Sequence, residues 1–158
     1  MTSILPNHFR KGDVATVELS FSALPAHVRT ARLVAAAVAR RSGVDEAVLD
    51  EVRLAVGEAC SRAVHLHRRH CPDLPVTVTL IDDPQVFRVA VTDQAPSDDA
   101  DASGLEDLAE SADLELDLVP PGVGLAVISG LVDDMSVEQG AGAGGQGVVV
   151  RMSWPTSA

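Results

Sequence analysis

The chain has 158 residues, 46% of them apolar and 3% aromatic, with 12 basic against 23 acidic side chains and a formal net charge of −11. A single domain of this length buries about 70% of the surface that its unfolded chain exposes, so it needs neither disulfide staples nor a structural metal. The acidic field repels phosphate backbones and the few aromatics offer no stacking platform, which excludes nucleic acid as a partner and favours a basic protein surface.

No apolar run approaches membrane-spanning length, and Met1–Lys11 lacks a signal-peptide core. Cys60 and Cys71 make no disulfide framework. The expectation is a cytoplasmic protein with no membrane partner. Residues 1–12 read as an N-terminal tail and 13–156 as one domain.

Val14–Phe21 largely alternates apolar with polar residues, the period of a half-buried strand. Ser22 and Pro25 open a helix whose apolar stripe is Val28, Ala31, Ala35 and Val38, and Ser42-Gly43 breaks it. A longer helix is expected from about Asp45 to His67, with Val48, Val52, Ala55, Val56, Ala59, Ala63 and Leu66 on one face. Cys71-Pro72 closes it, because proline disfavours helical geometry in the residue before it. Val76–Ile81 and Val86–Thr92, separated by Asp82-Asp83-Pro84, read as an antiparallel hairpin.

Periodicity then fades. The stretch from Asp93 to about Pro121 carries Asp98, Asp99, Asp101, Glu106, Asp107, Glu110, Asp113, Glu115 and Asp117 with no lysine or arginine. It reads as a long acidic loop, of the kind that in a compact domain is functional or disordered. A short helix at Val123–Val132, a strand at Met135–Glu138, a glycine-rich turn at Gly140–Gly147 and a strand at Val148–Trp154 finish the domain. Hairpin strands with helices gathered on one face make an α+β sandwich of two layers, with a mixed, mostly antiparallel sheet.

Several motifs are weighed against plain structural roles. Gly142-Ala-Gly-Gly-Gln-Gly147 matches a dinucleotide fingerprint, but it precedes a strand instead of opening a helix, so it reads as a hairpin turn. His67, His70 and Cys71 can share a helical face, but Pro72 frays that face and no fourth ligand is evident, so no metal site is expected. Cys60 borders the apolar stripe and is expected to pack. Gly122-Val-Gly124 enters a helix, where freed backbone N–H groups and the helix dipole suit an anion; a tight turn accounts for it equally well. Glu58 and Arg62 stand four apart in the favourable order for a surface ion pair worth about 0.3–0.5 kcal/mol.

Taken together and in order, these segments resemble the GHKL (histidine-kinase-like, Bergerat-fold) ATPases, and among them the bacterial anti-sigma-factor serine kinases. Leu54-Ala-Val-Gly-Glu58-Ala-Cys-Ser-Arg62-Ala63 is similar to the first ATP-site box and Val91-Thr-Asp93-Gln-Ala95-Pro-Ser97 to the D-x-G-x-G box. Gly122-Val-Gly124-Leu125 is similar to the glycine box and Gly147-Val-Val149 to the closing segment. The resemblance implies Glu58 as catalytic base, Asp93 as the carboxylate that meets the adenine amino group, and Gly122 and Gly124 as amides facing phosphate. Arg62, Ala95, Ser97 and Leu125 fall at the other cofactor-binding positions, and about 94–121 would be the ATP lid. It also implies partners: a sigma factor or related regulator, an anti-anti-sigma antagonist, and a second copy of the chain paired through the sheet.

The chain departs from that pattern where chemistry is concentrated. Arg62 replaces the Mg²⁺-ligating asparagine, and Ala95 and Ser97 replace both glycines of D-x-G-x-G. A guanidinium has five donors and no acceptor, so it cannot ligate a cation. Beside Glu58 it would depress the carboxyl's pKa and weaken the base; the other role open to it is to stand in for the metal and bind phosphate directly. The leading reading is an anti-sigma-type regulator with a degenerate ATP site, and its first rival an active ATP-dependent serine kinase; a detached ATPase module of a sensor histidine kinase and a plain scaffolding domain are the others.

Overall fold

The strand β1 (Ala15–Phe21) alternates half-buried and exposed residues along its whole length, as the period of two requires. The helix α1 (Pro25–Ser42) follows with proline in its first turn, where a missing N–H costs nothing. Its C-terminus closes on Gly43 at φ +97°, with the Val44 N–H returning to the Ala39 carbonyl at 3.0 Å. The chain is described here, from a computed structural model, over residues 14–96, 130, 132, 134–140 and 146–157. The expected tail, most of the acidic loop and most of the helix at Val123–Val132 lie outside the described residues.

The second helix differs from expectation at both ends. Asp45 caps a single tight turn, Glu46–Val48, by accepting the Ala47 N–H at 3.0 Å, and α2 proper is Leu49–His70. It runs past His67 because Pro72 constrains only the residue before it: Cys71 leaves the helix at φ −153°, while its own N–H still reaches the His67 carbonyl. The strands β2 (Val76–Asp82), β3 (Val86–Thr92), β4 (Asp134–Gln139) and β5 (Val148–Pro155) lie within a residue of their expected spans.

The sheet order is β1-β2-β3-β5-β4, and every described pairing is antiparallel. The registers align apolar residues into rows across the sheet: Leu19, Val78, Val91, Val150 and Val137 in one, Val17, Leu80, Val89, Met152 and Met135 in the next. Those rows face α1 and α2 and, apart from the exposed Val137, form one core with Ala31, Ala35, Val52, Val56 and Ala63. Trp154 stacks on Phe87 with ring centroids 6.1 Å apart. The opposite face carries Thr16, Glu18, Thr77, Thr79, Arg88 and Arg151, none of them buried. This is the two-layer α+β arrangement, with helices on one side of the sheet.

β5 inserts between β3 and β4, so the connection leaving β3 at Asp93 starts beside the first residue of β5. Gly147 makes that approach possible. It sits at φ +87°, and a Cβ on it would lie 2.0 Å from the Asp93 carbonyl oxygen, which only glycine avoids. The Asp93 N–H then bonds the Val148 carbonyl at 3.0 Å.

Candidate functional site

Asp93 directly follows β3 and is 1% exposed. One carboxylate oxygen, Oδ1, accepts the Ala95 N–H at 3.1 Å, which tightens the chain immediately after the strand. The other, Oδ2, accepts from the Arg62 guanidinium (Nη1) at 3.0 Å. Arg62 itself is 7% exposed, on the buried side of α2. The expected surface pair between Glu58 and Arg62 therefore does not form. A buried carboxylate 31 residues away in sequence outcompetes it, because a charge-assisted bond is stronger out of water than at the surface.

Glu58 is left half-buried on α2 with Arg32 of α1 as its charged neighbour. Arg32 lies close over Gly57: a Cβ added there would meet the arginine Cδ at 2.9 Å. Burial raises the Glu58 pKa above the ordinary carboxylate value, and attraction to Arg32 offsets part of that rise. The expectation that Arg62 would depress it is thus corrected. The guanidinium points elsewhere, and desolvation is the larger effect.

The segment that follows Asp93 is held from three directions. Gln94 donates its backbone N–H to His67 Nε2 at 2.8 Å, and its side-chain Nε2 to the Pro75 carbonyl at 3.2 Å. His67 is fully buried, and its Nδ1 lies 2.9 Å from the Leu74 carbonyl. With Nε2 accepting, Nδ1 must carry the proton, so the geometry selects one neutral tautomer. Both ring nitrogens are then engaged by backbone. His65 has its pKa lowered, by burial first and by Arg69 and Arg68 next. Cys60 packs in the core, and burial pushes its thiol up to about 12. Cys71 is raised by burial and by the nearby Asp93 carboxylate.

The structure thus brings together Arg62, Asp93 and Ala95, with Glu58 one turn before Arg62 on the same helix. Ser97, Gly122, Gly124 and Leu125 lie outside the described residues. Among the described residues no group of three histidine, cysteine or carboxylate side chains is placed to hold a metal ion. Two contributors were not singled out from the sequence for the roles they have. Arg32 belongs to no motif; a glycine inside the apolar stripe, Gly57, was its one available signal. His67 was considered as a metal ligand, whereas it serves as a backbone clamp.

A family model described as a histidine kinase-like ATPase domain matches residues 21–154. No curated protein matches the chain.

Proposed function

The chain belongs to the histidine kinase-like ATPase domain family, and from that premise we propose that it is an anti-sigma-factor-type regulator of the partner-switching kind, with a degenerate ATP site. It acts in the cytoplasm by binding proteins. One observation carries this reading: four residues after Glu58, where the resemblance places the Mg²⁺ ligand, stands a donor-only cation whose guanidinium is buried on Asp93.

The residues present do not fit the cofactors that the family implies. Arg62 offers no oxygen to a divalent ion, so no step is derived through Mg·ATP. What remains suited to the role is the protein surface. The net charge of −11 favours a basic partner such as a DNA-binding sigma factor. Among the described residues β1 is an outer strand of the sheet, paired on one side by β2, and that edge supports the expected homodimer. No helix among the described residues is long and apolar enough to cross a membrane.

A specific observation favours the alternative reading, an active protein serine kinase acting on an anti-anti-sigma antagonist. Glu58 is not silenced by Arg62, and its raised pKa suits a general base. One experiment separates the readings. The purified chain is mixed with each sigma factor and candidate antagonist of its cell, with radiolabelled ATP present. Complex formation by native mass spectrometry without label transfer supports the degenerate regulator, and label on an antagonist serine supports the kinase. Neither complex nor label refutes both. Light scattering at micromolar concentration reads the dimer, and a monomeric mass would count against it.

A further inference from the structure

We infer that Arg62 is an internal plug: its guanidinium occupies the Asp93 carboxylate, so the first determinant lost is base recognition, before any question of metal arises. This rests on the reading of the Glu58–Asp93 face as the family's nucleotide face, and it adds which contact is blocked and by what.

A carboxylate that is 1% exposed offers few directions of approach, and donors compete for them. Asp93 already accepts the Ala95 N–H on Oδ1 and Arg62 on Oδ2. A base amino group is a neutral donor. To reach the carboxylate it must displace a bond between two full charges with one in which only the acceptor is charged, and it must strand a guanidinium that is 7% exposed. Uncompensated burial of that cation opposes the exchange further. The helix enforces the arrangement, since Arg62 lies on the buried side of α2 with Leu66 one turn on, fully buried, and Ala63 beside it. Its partner is equally confined, being tied through its backbone to Val148. The pair also cancels the local negative charge that would otherwise draw an amino group. Loss of a metal ligand weakens phosphate binding alone; a plugged carboxylate abolishes affinity for the bare nucleoside as well.

Adenosine, which has no phosphate and needs no metal, is the probe that isolates this effect. Calorimetry on the full chain is expected to show no adenosine binding by the wild type at millimolar concentration. Arg62→Ala is expected to bind adenosine, and not guanosine, with a gain of about 10–100-fold, the equivalent of one charge-assisted hydrogen bond. Asp93→Asn in the Arg62→Ala background should abolish the gain. Arg62→Gln keeps a neutral donor on the carboxylate, so it covers the case in which Arg62→Ala does not fold, and it should gain part of the affinity. A folded Arg62 variant that binds adenosine no better than the wild type overturns the plug. So does adenosine binding that survives Asp93→Asn. Magnesium-dependent ATP affinity in Arg62→Asn without adenosine affinity would also overturn it while leaving the nucleotide face standing. The regulator reading is judged separately, by the complexes of the mixing experiment.

Discussion

Replacing His67 with leucine should cost the domain a large share of its stability, although leucine is apolar, of similar volume and helix-compatible. The imidazole makes two bonds to backbone, at 2.9 Å to the Leu74 carbonyl and 2.8 Å from the Gln94 N–H. Leucine removes both and orphans a part-buried acceptor and a part-buried donor. Each bond contributes about 1 kcal/mol net, and each stranded group adds a desolvation cost, so the expected loss is about 2–4 kcal/mol. For a chain of this size that corresponds to a fall in Tm of about 4–16 °C. Asparagine can keep the donor to Leu74 and glutamine the acceptor for Gln94, so His67→Asn and His67→Gln should each lose roughly half as much. Urea unfolding followed by Trp154 fluorescence is a suitable assay, because this single tryptophan is 1% exposed and reports the core. Hydrogen exchange at the Gln94 amide supplies a local readout, expected to accelerate in His67→Leu. A His67→Leu variant within about 0.5 kcal/mol of the wild type, the range of an ordinary surface change, would refute the clamp. An unchanged Gln94 exchange rate would do the same.

The other outcomes are simpler. The folded pKa of Glu58 lies above its usual value of 4.5, so its favourable contribution is complete at acid pH and is lost as pH rises through the folded value. Glu58→Gln should therefore stabilise the chain relative to wild type at pH well above the ordinary value of 4.5 and not well below it, read from urea midpoints across pH; a pH-independent difference would contradict the desolvation account. Gly147→Ala should destabilise by more than about 1 kcal/mol in thermal melts, since the added Cβ meets the Asp93 carbonyl at 2.0 Å and φ is +87°; a neutral result would mean that the strand start is not constrained. Thiol labelling at mild pH should modify Cys71 slowly and Cys60 only at the rate of unfolding, because burial holds the Cys60 pKa near about 12. Fast reaction of both thiols in the native protein would count against the packed core.

Local pattern determined most of the secondary structure. Alternation in Val14–Phe21 and the apolar spacing of Val52, Val56, Ala59 and Ala63 are written in adjacent residues, and the strands and helices follow them. The turn residues Asp82-Asp83-Pro84 likewise predicted the β2–β3 hairpin, and the structure pairs the two strands antiparallel. Order along the chain also made the segments around Glu58, Arg62 and Asp93 resemble the boxes of the family to which the chain belongs. Pattern could not say where Arg62 would spend its charge. Sequence proximity favoured Glu58, four residues away, and an exposed pair of that kind is worth a few tenths of a kcal/mol. Folding instead carries Asp93 to the buried side of α2, and once both groups leave water an unpaired charge becomes far more costly than a lost surface contact. His67 follows the same logic. Its neighbours in sequence suggested a metal, but its partners, Leu74 and Gln94, arrive only when the α2–β2 turn and the end of β3 meet. Periodicity and turn chemistry are short-range and readable in order. The pairing of buried polar groups depends on which distant segments exclude water together, and only the tertiary structure decides that.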